Sequence, residues 1–446
     1  MMKKTLLALS LSLLTLGLHA DNWDQWRGPH HDGSAPEKPQ TSDFSKTKNV
    51  KWKTELPGPS GATPIIFGDK IFLSSVNEGK QQLLGMCVDR NSGKVLWSKS
   101  IGSGYKPAGA GTPIALGTRS NYASPSPVTD GKNVIFSFGN GDIICLDFDG
   151  NEKWRKNIQK EHGDFCYQWT FSASPTLYDG KLYYPVLQRN EQAHERGNPD
   201  AGSFILCIDP NTGKEIWKHM RPSKAIVESL EAYGTIIPYE KDGKKQLVIF
   251  GADVVTVHDA ATGKETWRWG TWNPGHEQQW WRTVPSPVIG KDTVLICAPK
   301  KKPVYAVDLT ATPDAESMQG MIWNSDGSRD VTSDVPTPLY YKDHFYVLSD
   351  VSKKVSKVEA QSGKILWTVK LPSKKKWRGS PTASDNKIYM MNHGGTVIVL
   401  DANDGKTLLE TNMGEDKDDN IRSSIPIVDS QLFIRTNHHL YCIEKS

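Results

Sequence analysis

The chain has 446 residues and a formal net charge of +4, from 54 Lys and Arg against 50 Asp and Glu. A balance this close carries no basic stripe for nucleic acid and no long charged tail. The 38 Gly and 27 Pro residues punctuate runs of Val, Ile, Tyr and Phe, a composition of many short strands joined by turns.

The first segment, "MMKKTLLALSLSLLTLGLHA" (1–20), sets Lys3 and Lys4 before an apolar run from Leu6 to Leu18 and closes on Ala20. That is the layout of a signal peptide, too short for a membrane span. The expected location is therefore periplasmic or secreted, with no lipid anchor because no Cys follows the run. "NWDQWRGPHHDGSAP" (22–36) then opens an N-terminal arm, 21–47, expected to lie across the domain at 48–446.

After the strand-like "KNVKWKTEL" (48–56), one unit is written eight times, beginning near Ala62, Ser124, Ser172, Gly234, Val284, Val335, Gly379 and Ser423. Each opens with a small residue and Pro, then runs strand, "DGK"-type turn, strand. A third strand ends near Asp, a Thr-Gly-Lys-type turn follows, and a fourth strand carries Trp. The turn is spelled "NSGKVLW" (91–97), "NTGKEIW" (211–217), "ATGKETW" (261–267), "QSGKILW" (361–367) and, degenerately, "NDGKTLL" (403–409). Its Gly suits a positive φ that a β-carbon would penalise, and the Asp before it can bond the backbone of its own turn.

Four antiparallel strands repeated in this way predict an all-β, eight-bladed β-propeller. Trp97, Trp154, Trp217, Trp267, Trp323 and Trp367 end six blades, and Leu409 ends a seventh. The last repeat stops at "HLYCIEKS" without a fourth strand, while Trp52 stands in a spare strand before the first blade. The N-terminal strand should therefore complete the C-terminal blade, closing the ring and removing its open edges.

Of the six cysteines, Cys87, Cys145, Cys207 and Cys442 share one repeat position ("MCVD", "ICLD", "LCID", "YCIE"). Equivalent positions on neighbouring blades lie too far apart to bridge, so these read as small buried residues. A Cys166–Cys297 pair is left open.

The repeats resemble the PQQ-like, quinoprotein-type repeats named for dehydrogenases that use pyrroloquinoline quinone (PQQ). Similar repeats build the propeller subunit of the bacterial outer-membrane protein assembly machinery. With the 22–36 opening, the chain also resembles exported propellers of planctomycete-type bacteria. The enzymes of this family imply PQQ stacked on a Trp, commonly against adjacent cysteines, with Ca²⁺, an Asp base and an Arg on the quinone. The matching positions here would be Trp169, Trp281 or Trp377 for stacking, Arg282 or Arg378 for the quinone, and Glu231 or Asp334 for metal or base. No two cysteines are adjacent and no Cys-x-x-Cys-His haem site is present. The assembly subunit implies contacts with a partner protein instead.

Loop lengths locate the candidate site. The long links 98–123, 155–171, 218–233, 268–283 and 189–203 fall on one face of such a propeller, and only 309–320 falls on the other. Extra length on one face of a repeat array marks a binding face. Residues just before each first strand line the channel mouth there, giving Tyr122, Trp169, Glu231, Tyr233, Trp281, Arg282, Asp334, Trp377, Arg378 and Arg422. Arginine forks beside Trp faces suit a planar or anionic ligand; the competing reading is that they plug the channel and pack the loops.

The expected function is an exported, non-catalytic binding or scaffold propeller in the cell envelope, monomeric, with an unknown envelope protein or small ligand as partner. No cofactor and no metal are expected, since the twelve His residues show no ligand spacing. A PQQ- and Ca-dependent quinoprotein dehydrogenase and a carbohydrate-binding propeller are the alternatives. No Gly-x-Ser-x-Gly elbow or phosphate loop supports other chemistry.

Overall fold

The computed structural model describes residues 21–104, 121–270, 272–312, 318–372, 374–416 and 418–445. The expected leader (1–20) and much of the 98–123 link lie outside them. Eight four-stranded antiparallel sheets form the predicted propeller. Seven are built from consecutive strands. The eighth takes Ile427–Val428, Gln431–Arg435 and His439–Glu444 from the C-terminus and Val50–Glu55 from the N-terminus.

Burial follows position in the blade. Second and third strands such as Lys70–Asn77 and Gln82–Asp89 are buried on both faces between neighbouring sheets. Outermost strands such as Glu215–Met220 are largely exposed. The closing strand takes the same register as the others. Trp52 stands opposite Cys442 as Trp97 does Cys87, Trp154 does Cys145 and Trp217 does Cys207. All six cysteines are free and buried, Cys166 and Cys297 included.

The fourth-strand tryptophans fasten each blade to the next. Trp52, Trp154 and Trp323 each donate the indole N–H to a carbonyl of the next blade's turn (Arg90, Pro210 and Ala360) at 2.8 Å. The ring lies over the Gly of that turn: a Cβ on Gly93, Gly213 or Gly363 would sit 2.6–2.7 Å from Trp52, Trp154 or Trp323. Glycine is needed there for its positive φ (71–73°) and also for its missing side chain. The turn Asp acts as expected, Asp89 Oδ1 accepting the Ser92 N–H at 2.8 Å.

The arm caps one end of the ring. Trp23 exchanges backbone hydrogen bonds with Ile66 at 2.9 and 2.8 Å. Thr129 N–H donates to Asp24 O, and Ala35 N–H to Ala383 O. These partners sit on first strands beside the short turns, so the arm closes the end opposite the long links. Arg27, 1% exposed, is its anchor, donating to the carbonyls of Pro381 (2.7 Å), Pro338 (2.8 Å) and Asp32 (2.7 Å).

Candidate functional site

Around the axis, each blade contributes one Ser or Thr just before its first strand. In seven of the eight blades the backbone N–H at that position donates to the hydroxyl of the next blade. Thr63 bonds Ser126, Ser126 bonds Ser174, Ser174 bonds Thr235 and Thr235 bonds Ser286, all at 2.8–3.1 Å. Ser286 bonds Thr337, Thr337 bonds Ser380 and Ser424 bonds Thr63, at 2.9–3.1 Å. This belt satisfies backbone donors that no strand partner reaches and fixes the channel wall.

Within this belt the channel holds a cavity of about 210 Å³ that reaches toward the mouth. A single water needs roughly 10–15 Å³ of such space, so the cavity exceeds one water many times over. Trp169, Tyr233, Arg282, Arg378 and Arg422 line it, with belt hydroxyls below them and Trp26 of the arm also in the wall. Five of the ten sequence candidates thus meet in one cavity.

Two of the three arginines are held by carboxylates. Arg282 donates from both terminal nitrogens to Asp334 at 3.3 Å, and its Nε lies 3.9 Å from Glu228. Burial pulls the Arg282 pKa down, but Asp334 and Glu228 outweigh it and raise it overall. Arg378 Nε donates to Asp350 at 3.1 Å, and Asp350 accepts the Asp334 N–H at 3.1 Å. Burial pushes the Asp350 carboxyl up despite Arg378. Nearby His393 is driven down to about 3, foremost by burial and further by the charges of Arg422 and Arg378. Two exposed lysine triplets, 300–302 and 374–376, stand on mouth-face links of the same sector.

The other candidates lie around the cavity. Glu231 is fully buried; it accepts Arg189 Nε, the Tyr233 hydroxyl and, at 3.0 Å, the Gln168 N–H. Burial pushes its pKa up to about 7 against Arg189 and Tyr233. Tyr233 in turn accepts the Trp169 N–H at 3.3 Å, so Glu231 positions the segment that carries Trp169. Trp281 packs at the edge with Lys302 Nζ 5.1 Å over its ring. Trp377 is fully buried and donates to Pro372 O at 3.0 Å. Asp334 acts through Arg282. Tyr122 lines a second cavity, about 420 Å³, that shares Trp169 and Thr170 with the channel.

Three contributors escaped the sequence reading. Asp350 sits at the end of a second strand, outside the segments scanned. The belt residues were visible only as "a small residue and Pro", although every one is Ser or Thr. Trp26 gave no periodic signal. Among the described residues, no group of three or more His, Cys, Asp or Glu converges to hold a metal ion, and no helix is long and apolar enough to cross a membrane.

The family model described as outer membrane protein assembly factor BamB matches residues 37–183, 201–314 and 315–439. A polyvinylalcohol dehydrogenase of a Pseudomonas species is 23% identical over 204 residues, 44% of this chain and 29% of that protein. The chain spans less than half the length of the curated relatives it matches. BamB from Moraxella catarrhalis superposes with a TM-score of 0.59 at 14% identity, covering 88% of this chain and 98% of that one. Quinohemoprotein alcohol dehydrogenase from Comamonas testosteroni gives 0.65 at 12% identity, covering 95% and 81%. At these identities the structural likeness concerns the fold alone.

Proposed function

The chain belongs to the PQQ-like repeat family described as outer membrane protein assembly factor BamB, and on that fold we propose an exported binding module whose channel mouth holds a planar small molecule with several negative charges. The observation that carries this reading is the convergence of Arg282, Arg378 and Arg422 on one cavity beside Trp169. Each guanidinium has five N–H donors, and among the described residues Arg378 donates one side-chain hydrogen bond, from Nε, to its carboxylate partner. Donors therefore remain for a ligand carboxylate, and Trp169 offers a stacking face. Export rests on the leader-like 1–20 segment. The scaffold half of the expectation rests on the family description.

A second reading makes the ligand PQQ and the protein a quinoprotein dehydrogenase. PQQ is itself a planar polycarboxylate, so its body fits the arginines, Trp169 and the belt hydroxyls. Calcium fits less well, because Asp334 and Asp350 are already tied to Arg282 and Arg378. When bound, PQQ would supply the redox chemistry of an alcohol oxidation; this chain's residues would bind and orient it. The relative named polyvinylalcohol dehydrogenase favours this reading.

Titrating the protein with PQQ, with and without Ca²⁺, while following tryptophan fluorescence tests both. Saturable quenching near micromolar PQQ is expected, weakened about tenfold in Arg282→Ala or Arg378→Ala. Binding without Ca²⁺ and without dye-linked alcohol oxidation supports the module. Ca²⁺-dependent turnover supports the dehydrogenase. No quenching contradicts both.

A further inference from the structure

The structure assigns the N-terminal arm a part in the site: we propose that Trp26 is the floor against which the channel ligand rests. This rests on the reading of the channel as a polyanion site. A propeller channel is open at both ends unless something fills one. Here the arm closes the short-turn end, and Trp26 is its one residue in the cavity wall.

The arm is built to hold that residue. Arg27 has φ 72°, Gly28 has φ 75° and Gly33 has φ 92°, so the chain turns sharply at and after the Arg27 anchor. A Cβ on Gly28 would lie 2.9 Å from the Trp23 ring, and one on Gly33 would lie 2.1 Å from the Arg27 guanidinium. These close approaches clamp the 23–33 turn, and its neighbours Trp23 and Arg27 are fully buried. Trp26, between them, is only partly buried.

The indole N–H makes the point chemically. Six of the seven fourth-strand tryptophans, Trp52, Trp97, Trp154, Trp267, Trp323 and Trp367, spend theirs on a carbonyl, while that of the seventh, Trp217, is buried without a partner among the described residues. Trp26 has no hydrogen bond among the described residues, and its side chain faces the cavity. Its ring, with the Arg27 guanidinium 5.9 Å from the centroid, offers a stacking surface on the cavity side and its N–H a donor for a ligand oxygen. With Trp169 also in the wall and arginines between, the ligand is admitted only from the long-loop face and must combine a flat body with anionic edges.

The test compares PQQ binding by the wild-type chain, Trp26→Ala and Trp26→Phe, with thermal unfolding of each recorded alongside. Loss of about tenfold in affinity in Trp26→Ala, substantial recovery in Trp26→Phe and unchanged unfolding temperatures support the floor. A Trp26→Ala variant that binds PQQ as the wild type does overturns it while leaving the polyanion reading standing. If Trp26→Ala lowers the unfolding temperature, the Phe variant decides: equal stability with no recovery of binding relative to Ala also overturns it. A wild-type chain that binds no PQQ removes the polyanion reading, and this assignment with it.

Discussion

Tryptophan does different work at the rim of this propeller and near its axis. At the rim, Trp154 and Trp323 recur at one place in the repeat, donate to a carbonyl of the next blade and lie over a glycine. Near the axis, Trp26, Trp169 and Trp377 stand outside the turn-and-Trp spacing, and no described glycine has its Cβ position against their rings. Trp26 and Trp169 line a cavity, and Trp377 is buried beside Arg378. A residue paired with its glycine at fixed spacing is serving the ring. One that breaks the spacing is serving the opening.

The rim should break most severely. Trp323→Ala removes a ring that is 8% exposed and its bond to Ala360. The expected cost is about 3–5 kcal/mol, read as a large fall in unfolding temperature. The paired glycine follows: Gly213→Ala drives a Cβ to 2.7 Å from Trp154 at a φ of +71° and should cost about 2–3 kcal/mol. Gly180→Ala, at a φ of +68° with nothing within 4 Å, should cost only about 1 kcal/mol. Equal losses in the two variants would mean the indole does not need the space.

Acid sharpens the comparison at a polar tie of the rim. His258 is buried with its ring nitrogens 2.9 Å from Gly263 O and Thr256 Oγ1. Burial, foremost, pulls its pKa down from 6.5 to about 4. The unfolded chain then takes up the proton first, so this stabilisation is full above pH 6.5 and lost as pH falls toward 4. The loss is up to ~3 kcal/mol. His258→Gln should flatten that part of the pH profile of unfolding temperature.

A small effect belongs to the axis as well. Ser286→Ala orphans the Thr235 N–H, now bonded at 2.8 Å, for about 1–2 kcal/mol. Its unfolding temperature should move by a few degrees only.

The same contrast explains what the sequence disclosed. The blades were legible because turn, glycine and Trp recur together, and the spare Trp52 strand announced the closure that its pairing with Cys442 realises. The mouth arginines were legible because they stand just before a first strand, where the repeat is interrupted. Which of them meet in a cavity was not, since Trp377 and Trp281 share that sequence position with Arg378 and Arg282 yet turn into the packing. Glu231 looked like a site residue and proves to be a buried tie behind Trp169, a distinction set by Arg189 and Tyr233 in three dimensions. An arm lying across the propeller was expected from the sequence, but nothing local could reveal its Arg27 anchor, whose acceptors at Pro338 and Pro381 lie more than 300 residues away.

The measurement that bears most directly on the central claim is calorimetric titration of PQQ into the wild-type chain and an Arg282→Ala/Arg378→Ala double variant, at low and high salt. One site per chain, weakened by salt and abolished in the double variant, is the result predicted for an arginine-lined channel. Absence of binding, or binding that the double variant retains, would contradict it.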